Sequence, residues 1–312
     1  MTGTIAITDY GWYEFLESHQ PLDEVNFWTP SAHWPFNADI GSPFIFKLKA
    51  KYNHAICGFA YFSRFVRLPE WLAWDWFQIK NGCPSLESMK SSIKGIRENI
   101  NYHATRSQNE IGCILLSQPT FFAKNNWISG PKDWPSPNLR PKKYDLQVGE
   151  GHRIWIECKE RDVKLLQNKE NNTMKEEQRK YGSPQIFQPR LGQGIFRVAV
   201  MEAYNRACAI THEHSLPALE ASHIKPFALN GPSEINNGIL LRADLHRLFD
   251  QGYITITPEY KVEISPHLKL DYDNGRTYYP FHGASIYIPN SLDDAPKKDF
   301  LVWHNEEIYR AA

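Results

Sequence analysis

The chain lacks net charge, paired cysteines and long hydrophobic runs. Its 312 residues include 35 Lys or Arg and 35 Asp or Glu, so any nucleic-acid binding must come from local basic patches and not from an overall positive field. The five cysteines form no CxxC pair. This argues against a structural zinc site and a disulfide framework, and it favours a reducing, cytoplasmic location. No apolar run reaches the length of a membrane span, and the first residues are not typical of a signal peptide, so we expect no membrane partner.

Against this background, residues 220–252 carry the most informative pattern in the chain. They place His223, Asn237 and His246 14 and 9 positions apart. The segment predicts a short strand, a turn-rich loop, a second strand and a helix that ends at Gly252. Such a unit can direct three polar side chains to one point, because strands project alternate residues and a helix repeats every 3.6 residues.

The motifs SHIKP, NNGILL and DLHRLFD, in this order, resemble the HNH nuclease family, the ββα-metal fingers. The resemblance implies that His223 is the general base, that Asn237 closes the loop and holds the base, and that His246 binds one divalent metal, Mg²⁺ or Mn²⁺. Asp250 lies one helical turn after His246 and is the candidate second metal ligand.

The pattern departs from the family just before the general base. Many members have Asp or His there as a further metal ligand, and this chain has Ser222. Glu220 matches a glutamate that supports phosphate binding in related toxin nucleases, so we expect it to support the site without binding metal.

Basic residues near the finger are candidates for phosphate binding. The segment RLGQGIFR resembles a helix that precedes the finger in related HNH proteins. The candidates are Arg190, Arg197 and Lys225, although a surface Arg on a helix can also be merely solvated.

The first half of the chain is rich in aromatic residues. The stretches FWTPS, GSPFIFKLK and ICGFAYF resemble the PUA-like group, especially its EVE-type readers of modified DNA. That resemblance implies a small curved β-barrel with an aromatic pocket for one base flipped out of a duplex. The candidate pocket residues are Asn26, Trp28, Trp34 and Phe36; the alternative is that these aromatic side chains belong to the core.

A second motif in the first half of the chain could form another nuclease site. The segment KKYDLQVGEGHRIWIECK predicts a hairpin. On adjacent strands, Asp145, Glu157 and Lys159 would match the Asp…Glu-x-Lys spacing of another nuclease class. The spacing is loose, so a second nuclease centre is a minor alternative.

The overall prediction is an α+β protein with an N-terminal PUA-like β-barrel domain and a C-terminal ββα-metal HNH nuclease domain. The expected boundaries are 1–160 for the reader, 161–188 for a charged linker and 189–312 for the nuclease. Within the reader, residues 1–24 are predicted to be helical or irregular.

The combination of a reader and a nuclease predicts a metal-dependent endonuclease that acts in modification-dependent restriction. Its expected partner is double-stranded DNA carrying a methylated or hydroxymethylated cytosine, and a homodimer is one route to double-strand cutting. Two alternatives stay open. The N-terminal domain could read a backbone phosphorothioate or a protein, or the finger could be a catalytically decayed DNA-binding module.

Overall fold

The structure is a computed structural model that describes residues 1–32, 35–99, 110–134, 140–172, 192–273 and 275–311. The chain divides into two compact units, Met1–Arg190 and Leu191–Ala312. Across the described residues, none of the helices has both the length and the apolar character needed to cross a membrane.

The first unit combines one mixed sheet with four helices among its described residues. Its strands are β1 (Thr2–Ile7), β2 (Glu24–Thr29), β3 (Pro43–Lys47), β4 (Ile56–Pro69), β5 (Glu110–Phe121) and β6 (Lys142–Asp145). Its helices are α1 (Tyr10–Ser18), α2 (Glu70–Phe77), α3 (Leu86–Asn99) and α4 (Gly149–Asn172).

The sheet has the strand order β2-β5-β4-β3-β1-β6. Strands β1 and β3 pair in parallel, and the other neighbours pair antiparallel. In the described part of the unit, the edge strands β2 and β6 do not pair with each other. The mixed α+β class is therefore confirmed, whereas the described strands of the predicted β-barrel domain form a sheet that does not close.

Alternate side chains of β3 supply two separate cores, one on each face of the sheet. Phe44 and Phe46 pack with Trp12 of α1 on one face, and Ile45 packs with Trp155 of α4 on the other. This follows from the two-residue period of a strand. The concentration of aromatic residues in this half is thus largely explained by core packing, for example between Phe46 and Phe121, whose ring centroids are 5.3 Å apart.

The predicted hairpin over residues 142–159 is wrong, because its second half is helical. Strand β6 ends at Asp145, and α4 begins at Gly149. Ile154 and Cys158, four residues apart, are both fully buried against the sheet, while Ile156 is 43% exposed. The burial therefore follows the helical period of 3.6 residues and not the strand period of two.

The same helix separates the residues of the alternative acidic motif. Glu157 forms ion pairs with Arg153 and Arg161 along α4, and the Lys159 ammonium lies 5.5 Å from the centre of the Trp155 ring. The side chain of Asp145 accepts a hydrogen bond from the backbone N–H of Gln147. The three residues do not form a common site, and the adjacent-strand arrangement on which this alternative depended is absent from the described structure.

The predicted domain boundaries stay predictions. The boundary at residue 160 falls inside α4, and α4 also includes the first part of the proposed linker. Residues 173–188 of that linker lie outside the described residues.

The second unit contains four helices and two short antiparallel strand pairs among its described residues. Its elements are α5 (Gln193–Ala203), β7 (Leu219–His223), β8 (Gly238–Arg242), α6 (Ala243–Asp250), β9 (Ile254–Ile256), β10 (Val262–Ile264), α7 (His267–Tyr272) and α8 (Lys298–Glu307). The order β7, β8, α6 forms the finger that the sequence predicts.

Helix α8 packs against the back of the finger. His304 is 2% exposed, and its ring stacks on Phe249 of α6 at a centroid distance of 3.8 Å. Because the Phe249 carbonyl can only accept, His304 Nε2 donates to it across 3.1 Å. Burial lowers the pKa of His304 to about 4, so the ring is neutral at pH 7 and serves as a packing residue.

Candidate active site

Strands β7 and β8 place the two ends of the finger loop side by side. His223, the last residue of β7, lies opposite Gly238, the first residue of β8. A Cβ added at Gly238 would lie 2.4 Å from a methyl group of Val200, so glycine allows α5 to pack closely against the strand. Helix α5 is thereby held against the end of β7, where the candidate general base His223 lies.

His223 has the environment of a neutral imidazole. Its ring stacks on Phe196 of α5 with a centroid distance of 3.9 Å and an interplanar angle of 11°. Its pKa is lowered to about 4, first by burial and then by the positive charge of the nearby Arg197 and His246. The buried Nε2 atom has no hydrogen-bond partner within the described part of the chain. A neutral ring with an unpartnered nitrogen can accept a proton from a water molecule that enters the site.

Asn237 closes the loop between the two strands. Its side-chain oxygen accepts from Lys225 N at 2.9 Å, and its Nδ2 donates to the carbonyls of Lys225 and Pro232 at 2.9 and 2.8 Å. Its own carbonyl accepts from Ile224 N at 2.9 Å. The residue is fully buried. These contacts fix the segment that follows His223, while the role implied by the resemblance, that Asn237 holds the base itself, stays a prediction.

We expect Asn237→Ala to lower the free energy of unfolding by about 1–3 kcal/mol, because it leaves buried backbone groups without partners. We also expect kcat to fall by about 10²-fold, because an active-site shift of about 1 Å can have that effect. Urea unfolding and single-turnover nicking would measure the two effects. The neighbouring Asn236→Ala is the matched control, since Asn236 makes one side-chain bond, to the Asp293 carbonyl at 3.2 Å. Equal effects of the two substitutions would contradict the role of Asn237 in fixing the loop.

Helix α6 carries His246 and Asp250 on one face. Leu245 and Phe249 are fully buried. His246 directly follows Leu245, and Asp250 directly follows Phe249. His246 Nε2 lies 3.3 Å from Asp250 Oδ2. Burial raises the pKa of Asp250; the nearby His246 opposes this shift, and the negative charge of Glu220 adds to it.

The structure also brings Glu220 to His246, a contact that sequence reasoning missed. Glu220 Oε2 lies 2.6 Å from His246 Nδ1. A carboxylate oxygen only accepts, so Nδ1 donates, and in a neutral ring Nε2 then carries a lone pair toward Asp250. Two acceptors 3.3 Å apart are satisfied either by a second proton on the ring or by a cation.

His246 Nε2 and Asp250 are suitable ligands for a divalent metal. Two ligands at about 2.1 Å from a metal and at right angles lie about 3.0 Å apart, close to the observed separation. Metal-binding histidines commonly donate their other ring N–H to a carboxylate, as His246 does to Glu220. No group of three or more His, Cys, Asp or Glu side chains in the described part could hold a metal alone. Water and substrate oxygens would therefore complete the shell, as is usual for Mg²⁺.

Ser222 cannot replace the ligand that other members place before the base. It is fully buried, and its hydroxyl donates to the His223 carbonyl at 3.4 Å. Because adjacent residues of a strand project to opposite faces, Ser222 and His223 point apart.

A cleft of about 470 Å³ is lined both by the candidate base and by the candidate metal ligands. Its walls include His223, His246 and Asp250, together with Gln193 and Arg197 of α5. Of the other phosphate candidates, Lys225 has its ammonium 5.4 Å from the centre of the Trp303 ring, and Arg190 lies outside the described residues. Arg197 is thus the described candidate whose position in the cleft fits phosphate binding.

The proposed base-pocket residues make internal contacts in the first unit. Asn26 is fully buried and donates to Asn81 Oδ1 at 2.9 Å. Trp28 Nε1 donates to the Asn81 carbonyl at 2.9 Å. The ring of Phe36 packs on two core phenylalanines, and Trp34 lies outside the described residues. These contacts do not by themselves form a pocket.

Residues 208–257 match the family model HNH_2, described as HNH endonuclease. The protein is a nuclease that hydrolyses nucleic acid. The matched segment contains β7, β8 and α6, with the candidate base and the candidate metal ligands. The rest of the chain, including the whole first unit, lies outside this match.

The chain was also compared with curated proteins and with solved structures. No curated protein matches the chain. Among solved structures, the crystal structure of ASCH from Zymomonas mobilis is 10% identical and matches with a TM-score of 0.32, covering 49% of this chain and 92% of that one. A mutant of the same Zymomonas mobilis protein is also 10% identical, with a TM-score of 0.31 and coverage of 49% and 96%.

Proposed function

We propose that this protein is a metal-dependent endonuclease that cuts double-stranded DNA and is directed to DNA carrying a modified cytosine. The observation that carries the cutting activity is the cleft whose walls include His223, His246 and Asp250. The Nε2 atom of His223 is buried and has no hydrogen-bond partner in the described part of the chain. The HNH endonuclease match over residues 208–257 supports the same activity.

In this proposal, His223 Nε2 takes a proton from water as the water oxygen forms a bond to phosphorus. The bond from phosphorus to the 3′ oxygen breaks, which leaves a 5′-phosphate and, after protonation by solvent, a 3′-hydroxyl. Arg197 offers its guanidinium to the phosphate, and Asn237 holds the loop that follows the base. When bound to His246 and Asp250, the metal supplies positive charge that stabilises the phosphate and the leaving oxygen.

The proposal assigns selectivity to the first unit, in line with its resemblance to EVE-type readers. A stack with one base contributes about 1–3 kcal/mol to binding. Trp28 and Phe36 are partly exposed, whereas Asn26 is fully buried. A base could therefore reach the two rings but could not reach the Asn26 amide without a local rearrangement.

A nuclease of this kind would act in modification-dependent restriction: host DNA without the mark is spared, and invading DNA with the mark is cut. We propose a cytoplasmic enzyme that pairs with a second copy when both strands are cut.

Digestion of one DNA sequence prepared in several chemical forms tests the substrate assignment. The forms carry cytosine, 5-methylcytosine, hydroxymethylcytosine, glucosylated hydroxymethylcytosine or a backbone phosphorothioate. We expect a modified-cytosine form to be cut fastest in Mn²⁺ or Mg²⁺. Preference for the phosphorothioate form, or equal cutting of all forms, would contradict the modified-cytosine reader. Binding without cutting of any form would point to a decayed finger.

A further inference from the structure

The finger loop exposes large apolar side chains next to the cleft. Phe227 is 65% exposed and Leu229 is 50% exposed. Both lie on a single 3₁₀ turn, Phe227–Leu229, between β7 and β8. A phenylalanine that makes few contacts with its own protein contributes little to folding, so its position needs another explanation.

Hydrogen bonds and close packing hold this turn in place. Asn237 binds the backbone on both sides of it, at Lys225 and at Pro232. Across the base of the turn, Gly231 N donates to the Pro226 carbonyl at 3.0 Å. A Cβ at Gly231 would lie 1.8 Å from the Lys225 carbonyl oxygen, so a larger residue there would displace the loop. The exposure of Phe227 is thus built into a constrained turn.

The two exposed side chains differ in their relation to the site. Phe227 lines the cleft that contains His223, His246 and Asp250, whereas Leu229 is not part of its lining. Arg197 contributes a positive charge to the same cleft. The cleft therefore offers a cation for a phosphate and, at its edge, a flat apolar ring.

We propose that Phe227 contacts a nucleobase beside the scissile phosphate and helps to seat the nucleic acid in the cleft. This inference rests on the proposed function. In a nucleic acid, each phosphate is flanked by bases whose faces are flat and weakly polar, and aromatic side chains stack on them with little regard to sequence. The contact would strengthen binding of the strand to be cut and would add no modification selectivity, which the proposal assigns to the first unit.

Four variants of the full-length chain test this role: Phe227→Ala, Phe227→Leu, Phe227→Trp and the matched control Leu229→Ala. The probe is a fluorescein-labelled duplex carrying 5-methylcytosine, nicked in Mn²⁺. We expect Phe227→Ala to raise KM by about tenfold to a hundredfold with kcat within about threefold of wild type, the range given by loss of one stacked base. Phe227→Leu should lose most of this binding and Phe227→Trp should retain it, because the aromatic face makes the contact. Leu229→Ala should resemble wild type.

Thermal unfolding of each variant keeps the test independent of folding, because an exposed side chain should change Tm little. An unchanged KM for Phe227→Ala would overturn the inference while leaving the nuclease proposal intact, and it would point to a protein partner for the exposed turn. Full activity of Phe227→Leu, or an equal loss in Leu229→Ala, would also overturn it. If the wild-type chain nicks none of the DNA forms, the proposed function fails and this inference fails with it.

Discussion

Replacing His223 with alanine should slow nicking by about 10²–10⁴-fold, the usual contribution of general acid–base catalysis. The substitution removes the ring that stacks on Phe196 and the Nε2 atom that has no partner in the described structure. DNA affinity should change little, because phosphate contacts supply most of the binding free energy. Single-turnover nicking and fluorescence anisotropy with a labelled duplex measure the two quantities separately.

The pH dependence of nicking provides a second test of His223→Ala. The pKa of His223 is lowered to about 4, and the ring is neutral above its pKa, so the active form of the base is present at both pH 6 and pH 8. The ratio of wild-type to variant rates should therefore be nearly the same at the two pH values. An imidazole with the ordinary pKa of about 6.5 would be mostly protonated at pH 6, and the ratio would fall there.

The control for His223 is His214→Ala, which changes an exposed histidine of the same unit. That variant should nick at the wild-type rate. If His223→Ala retained more than about a tenth of the wild-type rate, far above the residual activity expected after loss of a general base, another group would have to be the base.

Removing His246 should have an effect of comparable size through a different route. His246→Ala should abolish measurable Mn²⁺ binding by calorimetry and reduce nicking by at least ~10³-fold, because a metal ion contributes several kcal/mol of charge stabilisation. Asp250→Ala should weaken both properties less, since His246 then remains as a ligand and is still oriented by its hydrogen bond to Glu220. Glu220→Gln should lower metal affinity by about 10–100-fold, the usual effect of losing the carboxylate that orients a metal-binding histidine.

The chain offers a matched control for this pair. His267 and Asp271 have the same i,i+4 spacing on α7, with 4.0 Å between His267 Nδ1 and Asp271 Oδ1. His267→Ala should leave Mn²⁺ affinity and nicking unchanged. Unchanged Mn²⁺ affinity in His246→Ala would contradict the assignment of the ligands.

The finger could be predicted from the sequence because its signals are local. The spacing of His223, Asn237 and His246, the turn formers between them and the apolar period of α6 predict two strands and a helix. The pairing of Glu220 with His246 was not predictable in the same way, since it depends on the strand register and on how α6 folds back. The available signal is a glutamate three residues before the candidate base, but its resemblance to toxin nucleases indicates support of phosphate binding and not contact with His246.

The secondary structure of the first unit is harder to predict, because its apolar pattern fits more than one structure. The sequence predicts a helical or irregular segment over residues 1–24, but TGTIAI forms β1, which pairs with β3 and β6 in the sheet. The segment RIWIEC is a short, largely apolar run that fits a strand, but it lies in α4. Short apolar runs cannot be assigned by period alone, so the contacts across the sheet decide between the two structures.

The central claim is that the second unit's cleft hydrolyses DNA with a divalent metal. Conversion of supercoiled to open-circular DNA by the wild-type chain, on unmodified and on cytosine-methylated plasmid, tests it most directly. We expect nicking that starts on addition of Mn²⁺ or Mg²⁺ and stops with EDTA, and nicks that DNA ligase reseals because they carry a 5′-phosphate and a 3′-hydroxyl. Nicking that persists in EDTA, nicks that ligase cannot reseal, or no nicking of either plasmid with either metal would contradict the account.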